Sequence, residues 1–550
     1  MSANAGRQGA SAVAAGPAGA NTRRVRAVRP RRAPRALLAA AALGPALVLL
    51  PVALTFWRAL SFGAADAVEL LWRPLVGELL VNTLAITVAG TISSAIVGTA
   101  LAWFVERTDL PGRRGWALLA AAPLAMPAFV TSYAWVSLSL DLQDFAGALL
   151  VITTAYFPLV YLPVAAALRG LDPSLEECAR VLGCSRWTTF TRVVLPQLRP
   201  ALFGSMLLVA LGVMSEFGAF ALLRFRTFTT EIYAEYRTSF DGGGASLLAS
   251  VLIVLCLACV VVEFRVRGSA RYARIDRGVR RAPLRHALGR WRWPAAAGFA
   301  ALNVVTLGVP LAMIGYWLTQ PGAAAVTVAD VSPALLLSTT FASLWLGLLA
   351  ACVTTLLALP LAYLLTHYPG RLATFAERTA FLSQGVPGLV IGLAIVSLAV
   401  RALQPLYQGT TLLIAAYAIL FLPLALVSVR AALLQSQQRL EDTARSLGLS
   451  RLATLRRVVM PLASPGLGAA AAMVFISVVT ELNATLLLVP IGTRTLAMQV
   501  WADTTTLAFA AAAPYAALLT GLSLAGSGLL FAFAGRSALA RGVSRGPGPG

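Results

Sequence analysis

Apolar residues recur along most of the chain in stretches of about 20, the length of helix that crosses a bilayer. Twelve such stretches are predicted, and polar segments separate them. Six precede a basic segment near the middle of the chain and six follow it. The pattern predicts an all-α membrane protein with about twelve transmembrane helices. The predicted spans lie near residues 36–57, 79–105, 115–139, 146–168, 201–223, 246–264, 296–318, 335–366, 375–400, 411–433, 467–489 and 508–534.

The polar segments divide the chain into two membrane domains. Residues 1–35 are rich in Ala, Gly, Ser and Arg and lack an apolar face, which predicts a disordered basic arm. Residues 36–267 hold the first six spans and residues 294–540 the second six. A basic linker, 268–293, joins the two domains, and 541–550 form a tail.

Composition and charge agree with this membrane assignment. Hydrophobic residues make up 58% of the chain and charged residues 12%, whereas a soluble domain carries about 25% charged residues. The net charge is +22, and the chain contains no Lys. Arg clusters between spans, with ten in residues 265–293, as expected for loops that stay in the cytoplasm. We therefore expect a multi-pass membrane protein with both termini cytoplasmic and no nucleic-acid partner.

One polar segment occurs twice. Residues 175–200 and 440–465 align without a gap at an offset of 265, and 14 of 26 positions are identical. Glu216 and Glu481 lie at the same offset. The chain is therefore a tandem duplication. Each copy follows the fourth span of its half, which places it on the cytoplasmic face.

The repeated segment predicts two short helices joined at a glycine. Asp172 is suited to cap the first helix, and Gly183 and Gly448 to end it in the left-handed conformation. Pro196 and Pro461 are expected to break the chain before it re-enters the membrane. A DNA-binding helix-turn-helix or a plain amphipathic linker would show part of this pattern, but neither explains two matched copies at the bilayer surface.

At these positions the chain resembles the binding-protein-dependent ABC transporter permeases. Their signature is a cytoplasmic EAA loop, E-A-A-x3-G-x9-I-x-L-P, which matches here within residues 172–200 and 437–465. Cys178 and Thr443 depart from it, as does the Asp that begins the second copy. The matched positions are Glu177, Ala179, Gly183, Leu195 and Pro196 in the first copy and Asp442, Ala444, Gly448, Met460 and Pro461 in the second.

The resemblance implies a location in the bacterial inner membrane, a fold and a set of partners. The fold would be two tandem six-helix permease domains of the type I, MetI-like importers. Each EAA loop would be a coupling helix that docks on an ABC ATPase, here a homodimer, and an extracytoplasmic binding protein would deliver the solute. The chain has no G-x-x-x-x-G-K-[ST] loop. It is therefore expected to be no enzyme and to bind no cofactor, with ATP used by the partner subunit.

Two stretches resemble the iron(III) importers within this family. They run from Glu216 through LLRFRTFTTEIY and from Glu481 through Leu488, followed by GTRTLAMQVW. Iron(III) is thus the expected solute, with thiamine, a phosphonate or a polyamine as alternatives. A secondary transporter also has twelve helices and repeats but would lack EAA loops. A membrane-bound enzyme would need clustered catalytic groups, which the sequence does not suggest.

Glu216 and Glu481 are predicted at equivalent positions of the fifth span in each half. A carboxylate inside a membrane is costly and usually faces a partner or a wet pathway. We expect the pair to line the translocation pathway and attract a cation; helix packing or contact with outer water are the alternatives. Tyr156, Tyr161 and Tyr417 could ligate iron, but packing explains most tyrosines in membrane helices.

The remaining candidates favour structural roles. Pro127 and Pro387 occupy matching places in the third and ninth spans and predict kinks. Cys256 and Cys259 form a C-x-x-C inside a span, where two small apolar residues on one helix face are the simpler interpretation. With two His residues in the chain, a His-built metal site is not expected.

Overall fold

The computed structural model describes most of both predicted membrane domains. The described residues are 33–239, 241–267, 285–320, 332–435 and 438–543. Most of the predicted basic arm, the greater part of the linker and the end of the tail lie outside the described residues.

The described residues fold into 24 α-helices. Those before the linker are α1 (Arg35–Leu60), α2 (Ala64–Leu71), α3 (Pro74–Arg107), α4 (Arg113–Leu119), α5 (Ala128–Leu138), α6 (Phe145–Gly170), α7 (Pro173–Val181), α8 (Arg186–Thr189), α9 (Leu195–Ser215), α10 (Gly218–Leu222), α11 (Phe228–Arg237) and α12 (Gly242–Arg267). Those after it are α13 (Arg292–Asn303), α14 (Val309–Leu318), α15 (Pro333–His367), α16 (Arg371–Phe381), α17 (Gly388–Ala402), α18 (Thr410–Gln435), α19 (Gln438–Ser446), α20 (Arg451–Thr454), α21 (Met460–Val479), α22 (Asn483–Leu488), α23 (Leu496–Thr505) and α24 (Phe509–Val543).

Within these described ranges, ten helical segments are long and apolar enough to cross a membrane, and two bent pairs bring the number to twelve. The bent pairs are Arg113–Ala125 with Ala128–Leu138, at 90°, and Arg371–Gly385 with Gly388–Ala402, at 103°. The bends fall at Pro127 and Pro387, whose backbones are extended. The predicted kinks are therefore near right angles, because proline has no N–H to continue the helix. The all-α fold with about twelve spans is confirmed.

The predicted fifth and eleventh spans, 201–223 and 467–489, are too long at their C-terminal ends. α9 ends at Ser215 and α21 at Val479. In each half an extended or irregular break follows, and then a short helix, α10 or α22. Hydropathy alone does not reveal this break, because the residues after it are as apolar as the helix.

The same three helices form the centre of each half. In the first half α3, α6 and α9 pack on one another, and in the second half α15, α18 and α21 do so. α3 and α6 approach closely at Gly98, where an added Cβ would lie 2.7 Å from the carbonyl oxygen of Phe157. Small residues permit this close approach of helices within a membrane.

The halves exchange their first helices. α1 packs against α15, α16 and α17 of the second half, while α14 packs against α5 of the first half. Buried Val48 of α1 accordingly belongs to the same apolar cluster as Leu361 and Leu422, and Ile314 of α14 to the cluster that contains Tyr133. Each core therefore contains side chains from both halves, which the tandem repeat in the sequence does not predict.

Candidate functional site

The two repeated loops have the predicted helix–glycine–helix geometry. Asp172 Oδ1 accepts a hydrogen bond from Ser174 N at 3.0 Å and caps α7. The helix ends before Gly183, which has φ +77°, and Gly448 has φ +89° at the same place after α19. Glycine adopts this left-handed conformation without the strain that a Cβ adds. Side-chain capping and glycine therefore define the ends of the first helix.

The motif side chains divide into a buried and an exposed set. The side chains of Ala179 and Ala444 are buried, whereas those of Glu177 and Asp442 are exposed. Large apolar side chains lie beside the exposed set: Val181 is 88% exposed, Leu182 82%, Trp187 73% and Leu447 79%. Apolar side chains exposed in so polar a loop are typical of a surface that binds another protein.

The second short helix of each copy continues into the membrane helix that follows it, so the predicted break at the proline is wrong. Pro196 and Pro461 do not break the chain. A π-helical turn, Phe190–Val194 or Leu455–Val459, joins the second short helix to the membrane helix that follows. The N–H of Leu195 bonds to the carbonyl of Phe190. The wider turn thus accommodates a proline that has no N–H.

Two acidic residues that the sequence analysis passed over are buried beneath the loops. Glu176 and Glu441, each immediately before the motif, are 2% and 7% exposed. Glu176 Oε1 lies 2.9 Å from Nη1 of Arg107, the last residue of α3. Glu441 Oε1 lies 3.0 Å from Nε2 of His367, the last residue of α15. The signal available in the sequence was that both Glu residues are identical between the copies.

Glu216 lies in the break after α9, not within the fifth membrane helix as predicted. Its Oε1 accepts from Ala219 N at 3.0 Å and its Oε2 from the Tyr156 hydroxyl at 2.8 Å. The first bond caps the N-terminus of α10. Glu216 is partly buried.

Glu481 lies in the matching break after α21. Its Oε1 accepts from Ala484 N at 3.0 Å, and its Oε2 from the backbone N–H (3.1 Å) and hydroxyl (2.8 Å) of Thr485. The same hydroxyl lies 2.7 Å from that of Tyr417. Both acidic residues therefore cap the short helix that follows, and a tyrosine stands beside each site.

The two breaks meet where the halves contact each other. Asn483 Nδ2 donates to the carbonyl of Ser215 at 3.2 Å. A Cβ added to Gly218 would lie 2.7 Å from Leu482 Cδ2, which shows how closely the halves approach. The structure thus brings the surroundings of Glu216 and Glu481 to one place, although the residues are far apart in sequence.

An aromatic cluster beside Glu216 also joins the two halves. The ring centroid of Phe217 lies 4.7 Å from that of Tyr233 and 6.1 Å from that of Trp501, and Tyr233 and Trp501 are 5.9 Å apart. Trp501 belongs to the second half and the other two rings to the first. The sequence analysis missed the cluster, because no local pattern links these residues.

The short helices α11 and α23 are tied to the second span of their own half in the same way. The N–H of Phe228 donates to Thr83 Oγ1 at 3.2 Å, and that of Leu496 donates to Ser343 Oγ at 2.8 Å. Within α23, buried Asp503 accepts a hydrogen bond from its neighbour Gln499 at 2.9 Å. Burial raises the pKa of Asp503, because the ionised carboxyl group loses solvent there.

Among the described residues, no group of three or more His, Cys, Asp and Glu side chains could hold a metal ion. Cys256 is buried and Cys259 partly buried, and neither forms a disulfide. Tyr161 directs its hydroxyl towards the carbonyl of Ala117 at 3.5 Å. These side chains therefore have packing contacts and no geometry that would favour metal ligation.

The repeated loops and the twelve spans have a counterpart among known proteins. The chain matches the family described as binding-protein-dependent transport system inner membrane component, over residues 45–266 and 354–537. It belongs to this family. The permease is 37% identical over 478 residues to the Fe(3+)-transport system permease protein FbpB 2 of Haemophilus influenzae, with 86% of this chain and 94% of the relative covered.

Other relatives are more distant. The permease is 25% identical over 479 residues to the ferric transport system permease protein FbpB of Actinobacillus pleuropneumoniae, with 80% of this chain and 68% of the relative covered. It is 28% identical over 231 residues to the sulfate transport system permease protein CysT of Escherichia coli, which covers 38% of this chain and 83% of the relative. The chain is thus a multi-pass inner-membrane permease of an ABC importer, a transport protein and not an enzyme.

Proposed function

We propose that this permease imports iron(III). A binding protein delivers the ion, and ATP hydrolysis by a separate ATPase supplies the energy for its transport. The observation that carries the solute assignment is the extent of similarity. Ferric permeases match 80% or more of the chain, whereas the sulfate permease matches 38%. The family description itself includes a binding protein, and this favours an ABC importer over a secondary transporter.

The two repeated loops are the proposed docking sites for the ATPase. Each presents an exposed acidic residue, Glu177 or Asp442, beside exposed apolar side chains. Two similar docking sites favour an ATPase homodimer. The chain has no phosphate-binding loop of its own, and so we propose that it binds no cofactor and that ATP is hydrolysed by the partner.

The coupling loops are proposed to face the cytoplasm, with both termini on the same side. Cys178 is exposed in the first loop and provides a native labelling site that tests this orientation. A membrane-impermeant thiol reagent should label Cys178 in inverted vesicles and not in right-side-out vesicles, with Cys178→Ser as the matched control. Labelling from the outside would contradict the orientation.

Glu216 and Glu481 are proposed to lie on the translocation pathway. Both lie where the halves meet, and both are partly exposed. Each also caps a short helix. A substitution that removes the negative charge but keeps the cap is therefore needed to distinguish a pathway role from a structural role. Glu216 is the residue that permits this distinction: Gln keeps an oxygen acceptor for the N–H of Ala219 and removes the negative charge, and its amide NH2 can donate to the Tyr156 hydroxyl.

The test of the solute is uptake in cells. A bacterial strain without its own ferric permease would express this chain with its ATPase and binding protein under iron limitation. We expect uptake of radiolabelled iron(III) and no uptake of sulfate or thiamine. Uptake of another of these solutes, with none of iron, would overturn the assignment.

A further inference from the structure

Each proposed coupling helix, α7 in the first half and α19 in the second, is attached to a membrane-spanning helix by one buried acidic residue. In the first half, Glu176 lies 2.9 Å from the guanidinium of Arg107, and both side chains are almost completely buried. Arg107 Nη2 also donates to the carbonyl of Leu168 at 3.1 Å. A single guanidinium therefore joins the ends of α3 and α6 to α7.

The second half uses a different base at the same place. His367 Nε2 lies 3.0 Å from Glu441 Oε1. The other ring nitrogen lies 3.2 Å from the carbonyl oxygen of Tyr363, and the imidazole stacks on the Tyr363 ring at 4.0 Å. The ring is thus held in place on α15 with one nitrogen directed at α19. Arg107 and His367 are each the last residue of the second span of their half.

These pairs matter because the coupling helices have little other close packing. α7 packs mainly on α8 and on the π-helical turn that follow it, and α19 on α20 and its own π-helical turn. Buried charges are stable only when paired, and removal of one partner leaves the other costly. The side-chain pairs are therefore the main attachment of α7 to α3 and of α19 to α15.

We propose that Arg107 and His367 are positioning residues that fasten the coupling helices to the membrane-spanning helices. The proposal rests on the proposed coupling function of the loops. The guanidinium of Arg107 contacts both α6 and α7, whereas the imidazole of His367 links its own helix to α19.

Hydrogen–deuterium exchange of the full-length permease in nanodiscs tests the attachment without requiring a solute or an ATPase. Glu176→Gln should lower the protection of α7 (Pro173–Val181) about fivefold, the difference between a charged and a neutral partner, and leave that of α19 (Gln438–Ser446) unchanged. His367→Phe keeps a ring against Tyr363 but loses the contact with Glu441. It should lower the protection of α19 about fivefold or more and leave that of α7 unchanged. Unchanged protection of the attached helix in either variant, or an equal loss in both helices, would overturn the proposal.

The role in coupling is tested in proteoliposomes that contain the ATPase and the binding protein. Glu176→Gln should lower iron(III) uptake per ATP hydrolysed by about fivefold or more, because α7 no longer transmits its movement to α3. Glu106→Gln is the matched control, since Glu106 is adjacent to Arg107 but pairs with the exposed Arg169. Equal coupling ratios in both variants, or reduced ATPase binding with a normal ratio in the bound fraction, would overturn the proposal. A wild-type permease that associates with no ATPase would instead contradict the proposed function.

Discussion

Replacement of Gly183 is the sharpest perturbation of a proposed coupling loop. The residue has φ +77°, and a Cβ added to it would meet no atom within 4 Å. The cost of a side chain is therefore backbone strain and not a clash. Asn visits the left-handed conformation readily and Val almost never does. Gly183→Asn should be nearly neutral, whereas Gly183→Val should strain the turn.

The strain sets the expected magnitude. A left-handed conformation costs an ordinary residue about 1–2 kcal/mol. In the unbound G183V variant, residue 183 can leave the left-handed conformation. Docking on the ATPase must then restore that conformation, and its strain energy lowers the affinity. Since about 1.4 kcal/mol is a factor of ten, G183V should weaken ATPase binding by about 5- to 30-fold.

The assay is ATPase binding to the permease in nanodiscs, with Kd measured for each variant. Gly115→Val is the matched control. Gly115 also has open space around it but no positive φ, and it lies in the short helix Arg113–Leu119. The reasoning is refuted if G183N and G183V weaken binding equally, or if G115V weakens it as much as G183V.

Three further predictions concern the membrane region. Glu216→Gln should reduce iron(III) uptake about tenfold or more at unchanged membrane abundance, because it keeps the cap and removes an intramembrane charge; unchanged uptake would contradict a pathway role. Gly98→Ala should destabilise the helix contact by about 1–3 kcal/mol through overpacking and lower abundance, whereas Gly204→Ala, where space is open, should not. Asp503→Asn should raise the unfolding midpoint more at pH 8 than at pH 5. The raised pKa of Asp503 means that the ionised form destabilises the fold, so stability falls as pH rises above the ordinary carboxyl range; an equal shift at both pH values would contradict this.

Features with a local cause could be predicted from the sequence. The length of the apolar stretches predicted the spans, and the similarity of the two repeated segments located the helix–glycine–helix loops. Gly183 and Gly448 end their helices where expected, because the left-handed conformation depends on a single residue type. Pro127 and Pro387 bend the chain at the predicted places, although by more than a simple kink.

Features that depend on tertiary contacts could not be predicted. Pro196 was predicted to break the chain, but a π-helical turn accommodates it. Glu216 was placed inside a helix, since nothing local shows that its carboxylate instead caps the next one. The pair Arg107–Glu176 joins residues 69 apart in sequence, and the exchange of first helices between halves leaves no local pattern at all.

Uptake by the reconstituted importer tests the central claim most directly. The permease, its ATPase and its binding protein would be placed in proteoliposomes, with ATP on the ATPase side and radiolabelled iron(III) on the binding-protein side. The account predicts iron accumulation that requires ATP, the ATPase and the binding protein together. Accumulation without the ATPase, or ATP-dependent accumulation of another solute and not of iron, would contradict it.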